Sequence, residues 1–224
     1  MSASILGMSA PRARVSRSAL ERNIARAAHA EPDAPIDLRR DACGHGGRIV
    51  AEVARAVGVT AAVVDEPSLA AEYGLGSSRS VPLPLASVFG LEGRGRPVLT
   101  VTTPVLQTKP LQAGDGVSYG YLHRAESDTR AALIAGGYAQ GVPRAVGGAA
   151  SVWILGADRP IIGRVAMDVC VIDVGDLEVQ PGDEAVLFGA PAPHLLGQWA
   201  RATGWSEIEL VAMPGLSAER EVAE

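Results

Sequence analysis

Lysine is nearly missing from this chain: Lys109 stands alone among 20 basic residues, and the other 19 are arginine. Chemistry that needs a side-chain amine as nucleophile or imine former therefore has one candidate, because a guanidinium stays protonated in a protein. Cysteine is almost as scarce. Cys43 and Cys170 are isolated, with no C-x-x-C spacing, which points to two reduced thiols in a cytoplasmic protein and gives a disulfide no support in the sequence. His29, His45, His123 and His194 are widely spaced and form no metal-ligand pattern, so no metal site is expected. No apolar run approaches the ~18 residues of a membrane span. Met1 to Ala10 lacks the charged and apolar regions of a secretory leader. Basic excess is lacking too. A net charge of −5 excludes nucleic acid and anionic membrane as expected partners. Aromatics make up 4% of the 224 residues, so aliphatic side chains and alanine must fill the core.

What is present divides into two halves. Ala13 to Val15 reads as a strand, and Ser16 to Ala30 as a helix capped by Ser16 or Ser18, with Leu20, Ile24 and Ala28 on one face. Ile36-Asp37-Leu38 and Thr60 to Val64 are strand candidates. Ile49 to Val57 has helical spacing closed by Gly58, and Pro67 to Tyr73 is a short helix. This alternation predicts a parallel sheet. Gly74 to Ser80 reads as a loop and Val81 to Phe89 as a further strand, with Pro82 and Pro84 at its start. From Pro97 the pattern changes to short strands: Val98 to Val101, Asp128 to Ile134, Ser151 to Leu155, Ile161 to Val165, Val169 to Val174 and Glu184 to Phe188. Pro110 to Gly116 is turn-rich, and Leu195 to Thr203 is the one helix expected in this all-β half.

Several motifs carry a family resemblance. Asp41-Ala42-Cys43-Gly44-His45-Gly46 resembles the alanine racemase signature that follows a barrel strand. Gly114 to Gly120 is similar to the segment that supplies that family's catalytic tyrosine, here Tyr119. Gly137 to Arg144 resembles the family's glycine-tyrosine-alanine and proline-arginine segment, and Gly163 to Asp168 the segment whose Met167 and Asp168 line the substrate site. Gly182-Asp183-Glu184 and Phe188-Gly189 also fit. The resemblance implies pyridoxal phosphate (PLP) as cofactor, held as an imine on a lysine, with that lysine and a partner subunit's tyrosine as the two bases.

The departures fall on that cofactor. Arg39 stands at the imine-lysine position and Cys43 at the position of a phosphate-contacting tyrosine, while Leu83 is the nearest counterpart of the arginine that holds the ring nitrogen. Only Ala13 to Gly90 is available for a barrel that needs about 250 residues, and its middle has no counterpart. The arginine-rich C-terminal signature is degraded over Pro214 to Arg220. Lys109 lies in the β half and reads as a surface or packing lysine. Tyr119 reads equally as a packing residue or a retained site residue. Met167 has a core reading and Asp168 a turn or ion-pair reading. His45 and its glycines form either an anion-binding nest or a tight turn. Gly116-Val117-Ser118-Tyr119-Gly120 is also a literal G-x-S-x-G, which with Asp173 and His194 gives a hydrolase chain order, a remote alternative because no apolar helix follows it.

The expected fold is α/β plus all-β: a shortened remnant of a (β/α)8 barrel over residues 1–92, joined to an alanine-racemase-like C-terminal β domain over residues 93–224. The expected function is that of an inactive homologue with a binding or interaction role, PLP not bound, assembled as a homodimer that covers its open sheet edges. Two alternatives accompany it. One is a residual PLP-dependent amino-acid racemase. The other is a helper subunit that lends Tyr119 to a full-length racemase in a heterodimer.

Overall fold

The computed structural model describes residues 10–224; the stretch read as lacking a secretory leader lies, apart from Ala10, outside them. In chain order the elements are β1 (Arg12–Ser16), α1 (Arg17–Ala30), β2 (Ile36–Asp37), α2 (Arg39–Cys43), α3 (Gly47–Ala56), β3 (Ala61–Val63), α4 (Pro67–Glu72), β4 (Gly76–Ser77) and α5 (Leu85–Phe89). Then come β5 (Leu99–Leu111), β6 (Gly116–Val117), β7 (His123–Arg124), β8 (Thr129–Ala135), β9 (Ser151–Ile154), β10 (Ala157–Ile162), β11 (Val169–Asp173) and β12 (Glu184–Phe188), followed by α6 (His194–Thr203), α7 (Glu207–Ser217) and β13 (Glu219–Ala223). The chain divides into two compact units. The β unit takes residues 10–13, 100–206 and 217–219, and the α/β unit takes 14–99, 207–216 and 220–224.

In the α/β unit a parallel sheet runs β2-β3-β4, with Ile36 opposite Ala62 and Ala61 opposite Gly76. Helix α1 begins where the Ser16 hydroxyl accepts the Ala19 N–H at 3.2 Å. It buries Leu20, Ile24 and Ala27 and packs against α3 and α5. Asn23, 2% exposed, sits on the same face without an orphaned group. Its amide donates to the carbonyls of Val88 at 3.2 Å and Arg96 at 2.8 Å, and its Oδ1 accepts the Arg96 N–H at 3.2 Å.

Two expectations are corrected here. Val81 to Phe89 is not a strand. Pro82 and Pro84 remove ladder donors, and the chain turns into α5 directly after Pro84. Gly76–Ser77, expected within a loop, is the third strand of the sheet. Helix α7, which carries Pro214 within it, was not expected.

The β unit closes on itself. Its strands run β12-β9-β10-β11-β8-β5, and β12 pairs again with β5. All these pairings are antiparallel, so the six strands form a barrel without a free edge among themselves. Alternating β-branched residues point inward, among them Val101, Ile134, Val152, Ile154, Ile161 and Ile172, each at most 1% exposed. Helix α6 packs against β9 and β12. Its Trp199 is 1% exposed, lies edge-on to Phe188 at 5.5 Å and donates its indole N–H to the Ser151 carbonyl at 2.8 Å. Strand β5 outruns the turn expected from Pro110 and continues to Leu111, while β10 ends at Ile162, before the expected Val165. Among the described residues no helix is long and apolar enough to cross a membrane.

Candidate functional site

In the α/β unit the chemistry gathers where β2 ends. Asp37 closes the strand and is 4% exposed. Its Oδ1 accepts the Arg39 backbone N–H at 3.1 Å and Nε–H at 3.0 Å, and its Oδ2 accepts Nη2–H at 2.6 Å. This is a bidentate fork, the strongest geometry open to a guanidinium and a carboxylate. The hydrogen bond and charge of Asp37 hold Arg39 above its ordinary pKa. Residue 39 is thus a fixed cation with no nucleophilic lone pair.

The next four residues, Arg40 to Cys43, all have positive φ, between 51° and 55°. A left-handed turn costs about 1–2 kcal/mol per non-glycine residue, so local contacts must offset several kcal/mol. Asp65 Oδ2 accepts the Arg40 N–H at 2.7 Å. Asp41 Oδ1 accepts the Gly47 N–H at 2.6 Å, and its Oδ2 meets the Arg220 guanidinium at 2.7 Å. Gly44 is obligatory: a Cβ there would sit 2.9 Å from the Gly215 carbonyl carbon.

Cys43 is half-buried, and burial raises its thiol pKa, leaving it protonated and unreactive at neutral pH. His45 is fully buried, stacked on Phe89 with centroids 3.7 Å apart. Its Nδ1 lies 3.0 Å from the Ala42 carbonyl, and burial lowers its pKa to about 4. Of the two readings of this glycine run, the tight turn is the one built, with a neutral His45 as its apolar filler. Leu83 is 0% exposed, and its N–H donates to the Pro35 carbonyl at 2.9 Å.

A second constellation lies in the β unit. The loop between β6 and β7 carries Tyr119, 85% exposed, between Ser118 and Tyr121, both at positive φ. This loop lies against Gly163-Arg164: a Cβ on Gly163 would meet Ser118 Oγ at 2.8 Å, and one on Gly120 would lie 3.4 Å from Arg164. The short turn Tyr138–Gln140 is zipped onto Ala166-Met167-Asp168. The Tyr138 and Ala139 N–H groups donate to the Ala166 and Met167 carbonyls at 3.0 Å. The Gln140 side chain bridges both segments. Its Oε1 accepts the Gly137 N–H at 3.0 Å and its Nε2 donates to Asp168 at 2.9 Å. Three motifs separated in sequence are therefore one surface. Met167 is 53% exposed on it, which removes its core reading, and Asp168 is a hydrogen-bonded brace. Lys109 stands exposed on β5 opposite Ala131.

The hydrolase alternative is not assembled. His194 binds Asp158 at 2.6 Å, whereas Asp173 accepts the Thr129 hydroxyl at 2.6 Å and the Gly175 N–H at 2.9 Å. Ser118 also sits between two strands, not at a strand-to-helix elbow. The sequence reading missed Asp37, Asp65 and Arg220. The one available signal was an aspartate closing a strand two residues before Arg39.

Comparison with known proteins places this geometry. The family model "Alanine racemase, C-terminal domain" matches residues 98–222, more than half of the chain. An alanine racemase of Thermobifida fusca is 39% identical over 153 residues, covering 67% of this chain and 38% of that protein. One of Salinispora arenicola is 43% identical over 129 residues, covering 57% and 34%. The chain thus spans well under half the length of these relatives. Among solved structures, alanine racemase from Streptomyces coelicolor superposes with a TM-score of 0.84 at 18% identity, over 99% of this chain and 100% of that one. An alanine racemase from Bartonella henselae, solved with covalently bound pyridoxal phosphate, gives 0.76 at 16% identity over 96% and 99%. The match over residues 98–222 establishes that the chain belongs to the alanine racemase family.

Proposed function

We propose that this chain is a non-catalytic member of the family, a binding protein made of a shortened (β/α)8 barrel over residues 1–92 and a C-terminal β domain over 93–224. The observation that carries this reading is the Arg39–Asp37 fork. The resemblance assigns an imine-forming lysine to position 39, and a guanidinium pinned by a buried carboxylate neither forms an imine nor releases a proton. PLP does not fit the residues present. Besides Arg39, a short thiol stands at the phosphate-contacting position, and a buried leucine stands where the ring nitrogen needs a partner. Tyr119 is then a vestige of the family's general base, and Met167 and Asp168 are vestiges of its substrate contacts. Racemisation needs a base on each face of the α-carbon, and one tyrosine cannot serve both.

The test is a racemisation assay on purified protein with added PLP, followed by borohydride trapping and mass analysis. The expected result is no conversion of L-alanine and no adduct. Conversion that disappears in Tyr119→Phe, or an adduct on Lys109, overturns the reading.

The exposure of Tyr119 supports a second reading, in which the chain lends this residue to a full-length racemase. Co-purification with such a racemase favours it over the homodimer, and a monomer by light scattering at micromolar concentration removes the homodimer.

A further inference from the structure

The turn from Arg40 to Cys43 holds four residues in a conformation that L-residues ordinarily avoid, and much of what closes it comes from a segment distant in sequence. Arg220 Nη2–H donates to the Gly215 carbonyl at 2.9 Å and meets Asp41 Oδ2 at 2.7 Å. The same guanidinium lies over Gly46, where a Cβ would sit 2.9 Å from Nη1. Gly215 rests on Gly44: a Cβ on Gly215 would fall 2.7 Å from the Gly44 carbonyl oxygen. Glu221 ties the same segment to β1 by pairing with Arg14. A strained turn closed by a separate segment is an element with two arrangements, closed and open.

His45 is sealed in by that closure. The Ala42 carbonyl, 3.0 Å from Nδ1, can only accept, so Nδ1 carries the hydrogen and Nε2 the lone pair. Nε2 is buried without a partner among the described residues, as is the Arg220 Nε–H. A proton added at Nε2 therefore makes a buried cation whose new N–H has no acceptor. Two charged groups bear on it. Arg220 opposes the added charge, and Asp41 favours it but is already held by Arg220 and the Gly47 N–H. The Ala42 and Cys43 backbone favours it too, and α5 brings only the uncharged Phe89 ring. Water reaches the imidazolium only if one of its covers moves. Phe89 is 0% exposed, whereas Val222 is 51% exposed and β13 lies at a sheet edge, so the Arg220 side gives first. A hollow of about 520 Å³ beside Arg220, lined also by Arg17, Asp41, Gly46, Glu52 and Tyr73, leaves the guanidinium room to swing.

We propose that Gly215 and residues 220–224 form a strap that closes the left-handed turn, and that protonation of His45 releases it. The sign follows from burial. His45 titrates at about 4 when covered and near 6.5 when open to water, so closure is fully favoured above pH 6.5 and weakens as pH falls toward 4. Release frees Asp41 from Arg220 and lets the turn relax. The proposal concerns the α/β unit alone and does not rest on the reading of Arg39.

The test is amide hydrogen exchange of the full chain at pH 7 and pH 4.5, corrected for intrinsic exchange, with and without urea below the unfolding transition. The amides of Gly44, Gly46 and Gly47, all hydrogen-bonded within the turn, are expected to exchange through an opening whose constant rises about fiftyfold between the two pH values, the ratio set by a pKa moving from about 4 to 6.5. That opening is expected to ignore urea, because it exposes little surface. Ile24 and Ala27 of α1 are expected to exchange only by unfolding of the unit, with a smaller opening constant at both pH values and a clear urea dependence. His45→Asn is expected to abolish the pH rise in the turn. Arg220→Gln is expected to open the turn about tenfold or more at pH 7 with α1 unchanged, and it carries the test if circular dichroism shows His45→Asn unfolded. One opening constant shared by the turn and α1, no rise between pH 7 and pH 4.5, a rise that survives in His45→Asn, or an unchanged turn in Arg220→Gln each overturns the proposal.

Discussion

The two units have treated their inherited motifs differently. In the β unit the residues that carry the resemblance are kept and employed: Gly137, Gln140 and Asp168 are knitted together by hydrogen bonds, and Gly163 admits the Ser118 loop. In the α/β unit, on the function proposed above, the positions that the resemblance assigns to a cofactor, Arg39, Cys43 and Leu83, hold side chains that do not suit it. The left-handed turn from Arg40 to Cys43 is held by Asp41 within it and by Asp65 and Gly44 beyond it. None of those three is a position assigned to the cofactor. Arg39, Cys43 and Leu83 could therefore change without disturbing the turn. A motif holds residues that shape the chain and residues that do chemistry, and the two kinds need not change together.

Trp199→Ala gives the largest expected effect on the β side of that comparison. It removes the largest buried side chain of α6, its contact with Phe188 and its bond to Ser151. The expected cost is about 3–5 kcal/mol. The remaining tryptophans, Trp153 and Trp205, lie in the same unit, so urea unfolding followed by their fluorescence reads it directly. A loss below about 1 kcal/mol would mean that α6 covers the barrel without being part of its core.

His45 sharpens the other side through pH. Its folded pKa of about 4 lies below the usual 6.5 because it is buried. The unfolded chain therefore takes up a proton first as pH falls. Above pH 6.5 the residue contributes no pH dependence. Between 6.5 and about 4 stability falls, by about 3 kcal/mol in total, and below that the loss saturates. Urea midpoints at pH 7 and pH 4.5 measure it, and His45→Asn is expected to flatten the slope. An unchanged slope in that variant assigns the acid sensitivity to other groups.

These two residues also show how far the sequence was legible. Short apolar strands, such as Val169–Asp173 with Cys170 and Ile172 on its buried face, were readable because burial on one face dictates a period of two. So was α1, although the sequence offered Ser16 and Ser18 equally as caps and the structure selects Ser16. Val81 to Phe89 misled because Leu83, Val88 and Phe89 are buried without sheet pairing, and prolines decide the backbone there. Helix α7 was hidden by Pro214, which propensity alone places outside a helix. At the site, Arg39 and Cys43 were legible as departures from a pattern. The Asp37 fork and the left-handed run were not: the fork needs Asp37 buried at the end of its strand beside Arg39, and the run needs partners distant in sequence, Asp65 and Arg220, and a conformation that L-residues ordinarily avoid.

Arg39→Ala tests whether Arg39 now serves the fold. Removing it leaves Asp37 buried without its counter-charge. Because half of the Arg39 side chain is exposed, water softens the loss, and the expected cost is about 1–2 kcal/mol. Arg39→Lys is expected to recover part of that stability through a single ion pair and to give no racemisation, since Cys43 and Leu83 remain. Racemisation in Arg39→Lys would break the comparison, reducing the change in the α/β unit to one residue.

The smallest effect tests whether the α/β unit relies on ordinary helix rules where no cofactor motif is involved. The Ser16 hydroxyl accepts the Ala19 N–H, one of the donors that the first turn of α1 leaves without a carbonyl. Ser18 lies 3.4 Å from the Ser16 hydroxyl, but it is already inside the helix and accepts from Arg22, so it does not replace the cap. Ser16→Ala is therefore expected to cost about 1 kcal/mol, read as faster amide exchange in the first turn of α1. The effect should fade toward Asn23, whose three bonds to Val88 and Arg96 anchor the helix independently of its cap. Exchange that quickens equally along all of α1 would mean that the cap, and not the buried asparagine, fixes this helix on the unit.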